Sequence, residues 1–221
     1  MLSPYNELPD ILPLHVSMAS DSNQARIIHS TDRNLVMIER DNVETICQYM
    51  ASLNKQICNP MRFRASIYTY KNILADNLKK HDGDHSIFEP LLHECEYLCE
   101  LFFSVAGCSE ATFNFYRTDK ALCTRYHVDM YDIRLLCTYT GKGTEWVDNS
   151  TVNRSMLGQS KDNADIIKTG TIPYFVPLGV PVFLKGEKQG KNHGNGIVHK
   201  SPDSELYPQP RIIIRIDSNG M

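Results

Sequence analysis

Arg211-Ile212-Ile213-Ile214-Arg215-Ile216-Asp217 is the stretch on which the reading of this 221-residue chain turns. Strand side chains alternate, so Ile212, Ile214 and Ile216 share one face while Arg211, Ile213 and Arg215 share the other. The isoleucine face calls for an apolar layer against it. The arginine face looks into an interior, where a guanidinium is costly unless it has a partner. Working back from this strand, short runs at 111–117, 121–128, 134–139, 144–147, 171–175, 182–185 and 196–199 are each bounded by Gly, Pro, Asn or Asp. Many short strands without intervening helices predict a sandwich or barrel. The stretch 41–108 has helical spacing instead. Val43, Ile46, Cys47, Met50, Leu53 and Ile57 recur every three or four residues after Asp41, and Asn59-Pro60 should end that helix. A second helix is expected over about 66–80, and a third over 90–106, opened by Pro90 and closed by Gly107. Residues 1–35 read as an irregular arm. The expected fold class is α+β: a C-terminal jelly roll over 110–221 with the arm and helical region of 1–109 packed on it as one integrated domain.

Composition narrows the function. Hydrophobic residues are 42% and charged residues 22%, which fits a soluble globular domain rather than a disordered chain. The net charge of −3 sets a dedicated nucleic-acid binder aside. No apolar run reaches the roughly 20 residues of a membrane span, and the N-terminus lacks the features of a signal peptide, so a cytoplasmic location is expected. Seven cysteines, irregularly spaced and without a Cys-x-x-Cys pair, make neither a disulfide framework nor a zinc ribbon.

Chemistry concentrates around His127-Val128-Asp129. Positions i and i+2 of a strand point the same way, so an imidazole and a carboxylate face one enclosure together. His199, in Gly196-Ile197-Val198-His199, is the best third ligand. Two histidines and one carboxylate form the facial triad of non-haem Fe(II) oxygenases. Arg211 follows His199 by twelve residues, and its planar fork matches a carboxylate bidentately. A dicarboxylate co-substrate such as 2-oxoglutarate would supply that partner. An internal salt bridge with Asp129, Glu145 or Asp217 is the plainer account of either Arg211 or Arg215.

Other residues carry two readings each. Arg134 either binds an acidic group of the substrate or is salt-bridged. Trp146 is a substrate platform or a packing residue. Cys123 shares a face with His127, but four residues along a strand separate them by about 13 Å, so it reads as an apolar filler. Cys95 and Cys99, near His93, fit a helix core better than half a zinc site. The segment His81–His85 reads as a solvated turn, and 190–196 as a hairpin loop that could act as a lid. Lys185 and Lys200 read as solvated.

The ordered set His127-Val128-Asp129, Arg134-Leu135-Leu136-Cys137-Thr138-Tyr139-Thr140-Gly141-Lys142-Gly143-Thr144-Glu145-Trp146, Leu184-Lys185-Gly186-Glu187, His199-Lys200-Ser201-Pro202 and Arg211 resembles the domain-of-unknown-function 1826 family over about 110–220. The same positions are similar to the wider Fe(II)/2-oxoglutarate dioxygenase superfamily. That resemblance implies a double-stranded β-helix of cupin-like type, with metal ligands His127, Asp129 and His199. It also implies 2-oxoglutarate held by Arg211, and a co-substrate contact from Asn114 and Tyr116, with Arg215 on the same face. The implied activity is hydroxylation; a protein side chain, a small metabolite and a modified nucleic acid are all open as its substrate, the last least favoured by the acidic charge balance. The family's implied link to zinc-responsive gene neighbourhoods makes a non-catalytic Zn(II)-binding protein the alternative.

Overall fold

The computed structural model describes residue 8 and residues 11–53, 60–81, 85–160, 162–188 and 192–218. The elements run β1 (Val16–Ala19), α1 (Ser22–Ala25, continued by a 3-10 turn), β2 (Leu35–Ile38), α2 (Val43–Ser52), β3 (Met61–Ser66), α3 (Tyr70–His81) and α4 (His85–Ala106). They continue with β4 (Glu110–Thr118), β5 (Ile133–Thr138), β6 (Glu145–Trp146), α5 (Asn163–Ile166), β7 (Tyr174–Phe175), β8 (Val182–Lys185), β9 (His199–Lys200) and β10 (Arg211–Ser218). The fold is mixed α+β. A seven-stranded sheet has the order β1-β2-β8-β5-β10-β4-β3, and a three-stranded sheet has the order β7-β6-β9.

β10 holds the large sheet together. It pairs antiparallel with β4 along its whole length and with β5 from Ile213 to Asp217. Its faces divide as the alternation requires. Ile212, Ile214 and Ile216 are buried in one cluster with Phe113, Leu98 and Phe102, and so meet the helices. Ile213 belongs to a second cluster with Leu136, Val182 and Trp146, on the opposite side of the sheet. Each isoleucine so buried contributes roughly 1.5–3 kcal/mol of transfer free energy.

The N-terminal part is less irregular than its sequence suggests. β1 and β2 form a parallel pair, and β2 adds to β8, so the expected arm supplies strands of the large sheet. β3 extends the other edge by pairing with β4. The helices shift at their ends. α2 starts after Asn42, in the left-handed region at φ 58°, rather than after Asp41. It ends at Ser52; the expected continuation to Ile57 and the Asn59 stop lie outside the described residues. α4 starts at His85, so Pro90 lies inside the helix rather than opening it. Gly107, at φ +66°, closes it as expected. The turn expected at 81–85 falls mostly outside the described residues, as does the start of the 190–196 loop. The expected strand over 121–128 is not formed; the segment carries one isolated bridge, His127 to His199, and a backbone bond from Ser201 N–H to Cys123 O at 2.8 Å.

A buried ion pair bolts α4 to the sheets. Arg40 donates to both Glu94 oxygens at 2.8 and 2.9 Å, and the Tyr139 hydroxyl donates to Glu94 Oε1 at 2.6 Å. Cys95 and Cys99 beside it are packed in the helix core, where burial pushes both thiols up, Cys99 to about 12. No helix among the described residues is long and apolar enough to cross a membrane. Glu94→Ala, which strands Arg40 and the Tyr139 hydroxyl in the interior, is expected to lower unfolding free energy by about 3–5 kcal/mol in urea titrations.

Candidate metal centre and anion pocket

His127, Asp129 and His199 converge. One ligand atom from each lies within 4.8 Å of the others. The histidines stand on adjacent chain segments joined by a reciprocal backbone pair, each N–H to the other's carbonyl at 3.0 Å. Their ring centroids are 4.5 Å apart. In each ring Nδ1 faces the carbonyl two residues back: Arg125 O at 3.0 Å for His127, and Ile197 O at 3.1 Å for His199. A carbonyl only accepts, so Nδ1 carries the proton and Nε2 keeps its lone pair. Both Nε2 atoms turn toward Asp129, at 3.7 Å from Oδ1 for His127 and 3.5 Å from Oδ2 for His199.

The electrostatics suit metal ligation. Burial pushes the His199 imidazole down to about 4, against the opposing pull of Asp129, so it is neutral at ordinary pH. Burial pushes the Asp129 carboxyl up, but His199, Arg134 and His127 outweigh it and hold the group below the usual carboxylate range. Asp129 Oδ2 is buried and accepts no hydrogen bond. An ionised oxygen without a donor is expensive in an interior, and a divalent cation between it and two bare imidazole nitrogens is the group that residue set fits. His127 is the open side of the cluster, with a side chain 30% exposed against 7% for Asp129.

Neighbouring residues fix Asp129. Arg134, on β5, donates from Nη1 to Asp129 Oδ1 at 2.6 Å and from Nε to Asp217 Oδ1 at 2.5 Å. The backbone around Asp129 rests on Gly186. A Cβ there would stand 2.1 Å from the Tyr131 carbonyl oxygen and 2.6 Å from that of Asp129. Gly186 N–H donates to Asp132 O at 2.9 Å, and Glu187 N–H to Asp129 O at 2.7 Å.

A cavity of about 200 Å³ opens beside the triad, walled by His127, His199, Tyr116, Arg134, Arg211 and Arg215. Arg211 is 7% exposed, and its Nε donates to the Lys142 carbonyl at 2.8 Å. Among the described residues no carboxylate pairs with it. Burial pushes its guanidinium down to about 10, with Tyr116 opposing. Arg215 Nε lies 3.0 Å from Asp217 Oδ2, yet neither atom makes a hydrogen bond. Asn114, across the β4–β10 ladder from Arg215, keeps a buried Nδ2 without an acceptor. Three guanidiniums therefore face the cavity against two nearby carboxylates, Asp129 and Asp217. The pocket has the polarity of an anion site.

The model of the family described as "Protein of unknown function (DUF1826)" matches residues 19–217. The chain belongs to this family. No curated protein matches the sequence. Among solved structures, the fold is similar to that of dioxygenase for auxin oxidation 1 from Arabidopsis thaliana in its 2-oxoglutarate binary complex. The TM-score is 0.55 at 12% identity, covering 96% of this chain and 93% of that one. A Pseudomonas putida prolyl-4-hydroxylase aligns over 90% of this chain and 98% of its own, at 8% identity and a TM-score of 0.46. The first likeness is one of fold: this DUF1826 chain shares the architecture of a dioxygenase.

Within this DUF1826 chain the remaining expected residues divide. Trp146 is fully buried and packs on Tyr174, with ring centroids 4.7 Å apart; it borders no part of the cavity, so the platform reading fails and the packing reading stands. Arg134 borders the cavity, and its Nε and Nη1 donate to Asp217 and Asp129, so the salt-bridged reading describes it. Cys123 is close to His127 after all, Sγ to Nδ1 3.5 Å, because the segment bends instead of running as a strand. Lys185 is not solvated: it is 1% exposed, and its ammonium donates to Ser30 O at 2.5 Å. Lys200 pairs with Glu145 at 2.8 Å.

The glycines of the blocks quoted above act through the space they leave. Gly141 leaves the space Arg211 uses, since a Cβ there would meet Arg211 Cγ at 2.8 Å; Gly143 presses on the Val176 carbonyl. Gly141 is therefore space reserved for Arg211 in the cavity wall, while Gly143 allows the close approach of the Val176 carbonyl. Gly186→Ala is expected to displace the Asp129 backbone and weaken divalent-metal binding on the order of tenfold or more, read by calorimetric titration of metal-stripped protein.

Proposed function

We propose that this chain is a non-haem Fe(II)/2-oxoglutarate-dependent oxygenase of the hydroxylase type, with a double-stranded β-helix as its core. The observation that carries the proposal is the meeting, in one cavity, of a two-histidine, one-carboxylate cluster and a buried arginine without an acidic partner. A metal site alone would not need Arg211 buried and unpaired. An anion site alone would not need Asp129 Oδ2 left bare.

In this reading His127, Asp129 and His199 hold the metal on one side and leave the cavity side for ligands. Arg211, with Tyr116 beside it, receives the distal carboxylate of 2-oxoglutarate. Arg215 and the free Asn114 Nδ2 offer donors at the other end of the same strand face. Arg134 keeps Asp129 ionised and oriented. When bound, iron and 2-oxoglutarate together supply an oxidant for an unactivated C–H bond. The chain's part is to fix the ligand geometry, neutralise the dicarboxylate and keep bulk water from the floor of the cavity. The substrate would be a small molecule or protein side chain entering past His127 and Leu122, the more open border of the cavity. Divalent affinities alone do not select iron over zinc, so zinc handling is the competing reading of the same ligands.

The test is anaerobic titration of metal-stripped protein with Fe(II), with and without 2-oxoglutarate. A weak visible charge-transfer band that needs both components, and that Asp129→Ala abolishes, is the expected result. Arg211→Met should raise the 2-oxoglutarate dissociation constant about 30-fold or more while leaving iron affinity within a few-fold. Intact iron binding with no band would overturn the oxygenase reading and leave a metal-handling protein.

A further inference from the structure

The sheet that bears the two histidines is very short. β6 and β9 have two residues each, and the His127 segment joins them by one isolated bridge. So few backbone bonds are a weak foundation for two imidazoles that must be held to fractions of an ångström. The back of this sheet carries an additional restraint. β6 pairs Trp146 with His199 and Glu145 with Lys200. One step beyond the His127–His199 bridge, antiparallel register places Tyr126 opposite Lys200. Tyr126, Lys200 and Glu145 thus form one row across the three segments, next to the row His127, His199 and Trp146.

Neighbouring rows point to opposite faces of a sheet. The packing agrees: Trp146 joins the cluster between the sheets, whereas Tyr126 joins Val147, Ile166 and Val198 on the outer side. Within the outer row the Tyr126 hydroxyl donates to Glu145 Oε1, and the Lys200 ammonium meets Glu145 Oε2 at 2.8 Å. Lys200 Nζ also lies 5.3 Å from the centre of the Tyr126 ring. Glu145 is 6% exposed, so both contacts act with little solvent screening.

We infer that Glu145 is a positioning residue of the metal centre. It clasps the residue before one histidine and the residue after the other, and so fixes the spacing of His127 and His199 from behind. The inference rests on the metal-site reading above but concerns a carboxylate that touches neither metal nor substrate. Each contact spans a different pair of chain segments: Tyr126 ties the His127 segment to β6, and Lys200 ties β9 to β6.

The test uses Glu145→Gln and the milder Tyr126→Phe, each compared with wild type in two measurements. Co(II) titration of metal-stripped protein, followed by its visible d–d absorption, reports ligand geometry. Hydrogen exchange of the His127 and His199 amides in the metal-free protein reports the strand spacing directly. Glu145→Gln is expected to weaken Co(II) binding at least about tenfold, change the d–d spectrum and speed exchange at both amides. Tyr126→Phe should give smaller changes, largest at the His127 amide. Unchanged affinity, spectrum and exchange in folded Glu145→Gln would overturn the inference. If that variant does not fold, unchanged values in Tyr126→Phe overturn it instead. Wild-type protein that binds no Co(II) in an Asp129-dependent manner would sink the metal reading, while faster exchange in the variants would still uphold the clasp.

Discussion

Asp129 is a buried carboxylate with its two oxygens in opposite circumstances, and the surrounding structure is organised about that asymmetry. Oδ1 is held by Arg134. Oδ2 has no donor and faces the His199 Nε2, while the His127 Nε2 is nearest Oδ1; the Nδ1 protons of both rings are committed to backbone carbonyls. Removing such an oxygen from water without a partner costs several kcal/mol. The chain tolerates this because Arg134 is itself braced by Asp217 on β10, and because Gly186 and Glu187 grip the Asp129 backbone. The support of Asp129 is thereby spread over β5, β8 and β10, the middle of the large sheet.

Much of the fold was legible where apolar and polar residues alternate over enough positions to show a period. β4, β5, β8 and β10 lie within a residue or so of the runs that announced them. The two-residue strands could be placed only by neighbourhood, since a period of two needs several residues to declare itself. Leu35-Val36-Met37-Ile38 was missed for the opposite reason. It is buried on both faces of the sheet, so it shows no alternation at all, and the surrounding Asp, Asn and Ser made it look like part of a loose arm. The 121–128 stretch alternates weakly, yet forms only an isolated bridge, at His127, and no strand.

The site was legible in part for the same physical reason. His127 and Asp129 share a side because they are two apart, and Arg211 shares a face with Arg215 because they are four apart. What the pattern could not show is pairing across the fold. Arg134 looked like a candidate for substrate because its partners, Asp129 and Asp217, are brought to it by tertiary structure. Trp146 looked like a platform because residue type says nothing about which side of a two-residue strand is covered. The glycines at 141, 143 and 186 matter for what they leave out, and absence of volume has no periodicity.

The position of β10 has a consequence for how the molecule is made. It lies between β4 and β5 in space, yet it follows every other strand in the chain. During vectorial synthesis β4 and β5 emerge before the strand that pairs with both of them. The ladder closes only when the last strand is inserted between them, and the apolar layer beneath waits until then for its isoleucines. Contacts of such long sequence separation make closure slow. Arg211 and Arg215, which wall the cavity, arrive on that same strand, so the protein cannot acquire its pocket before it has completed its sheet.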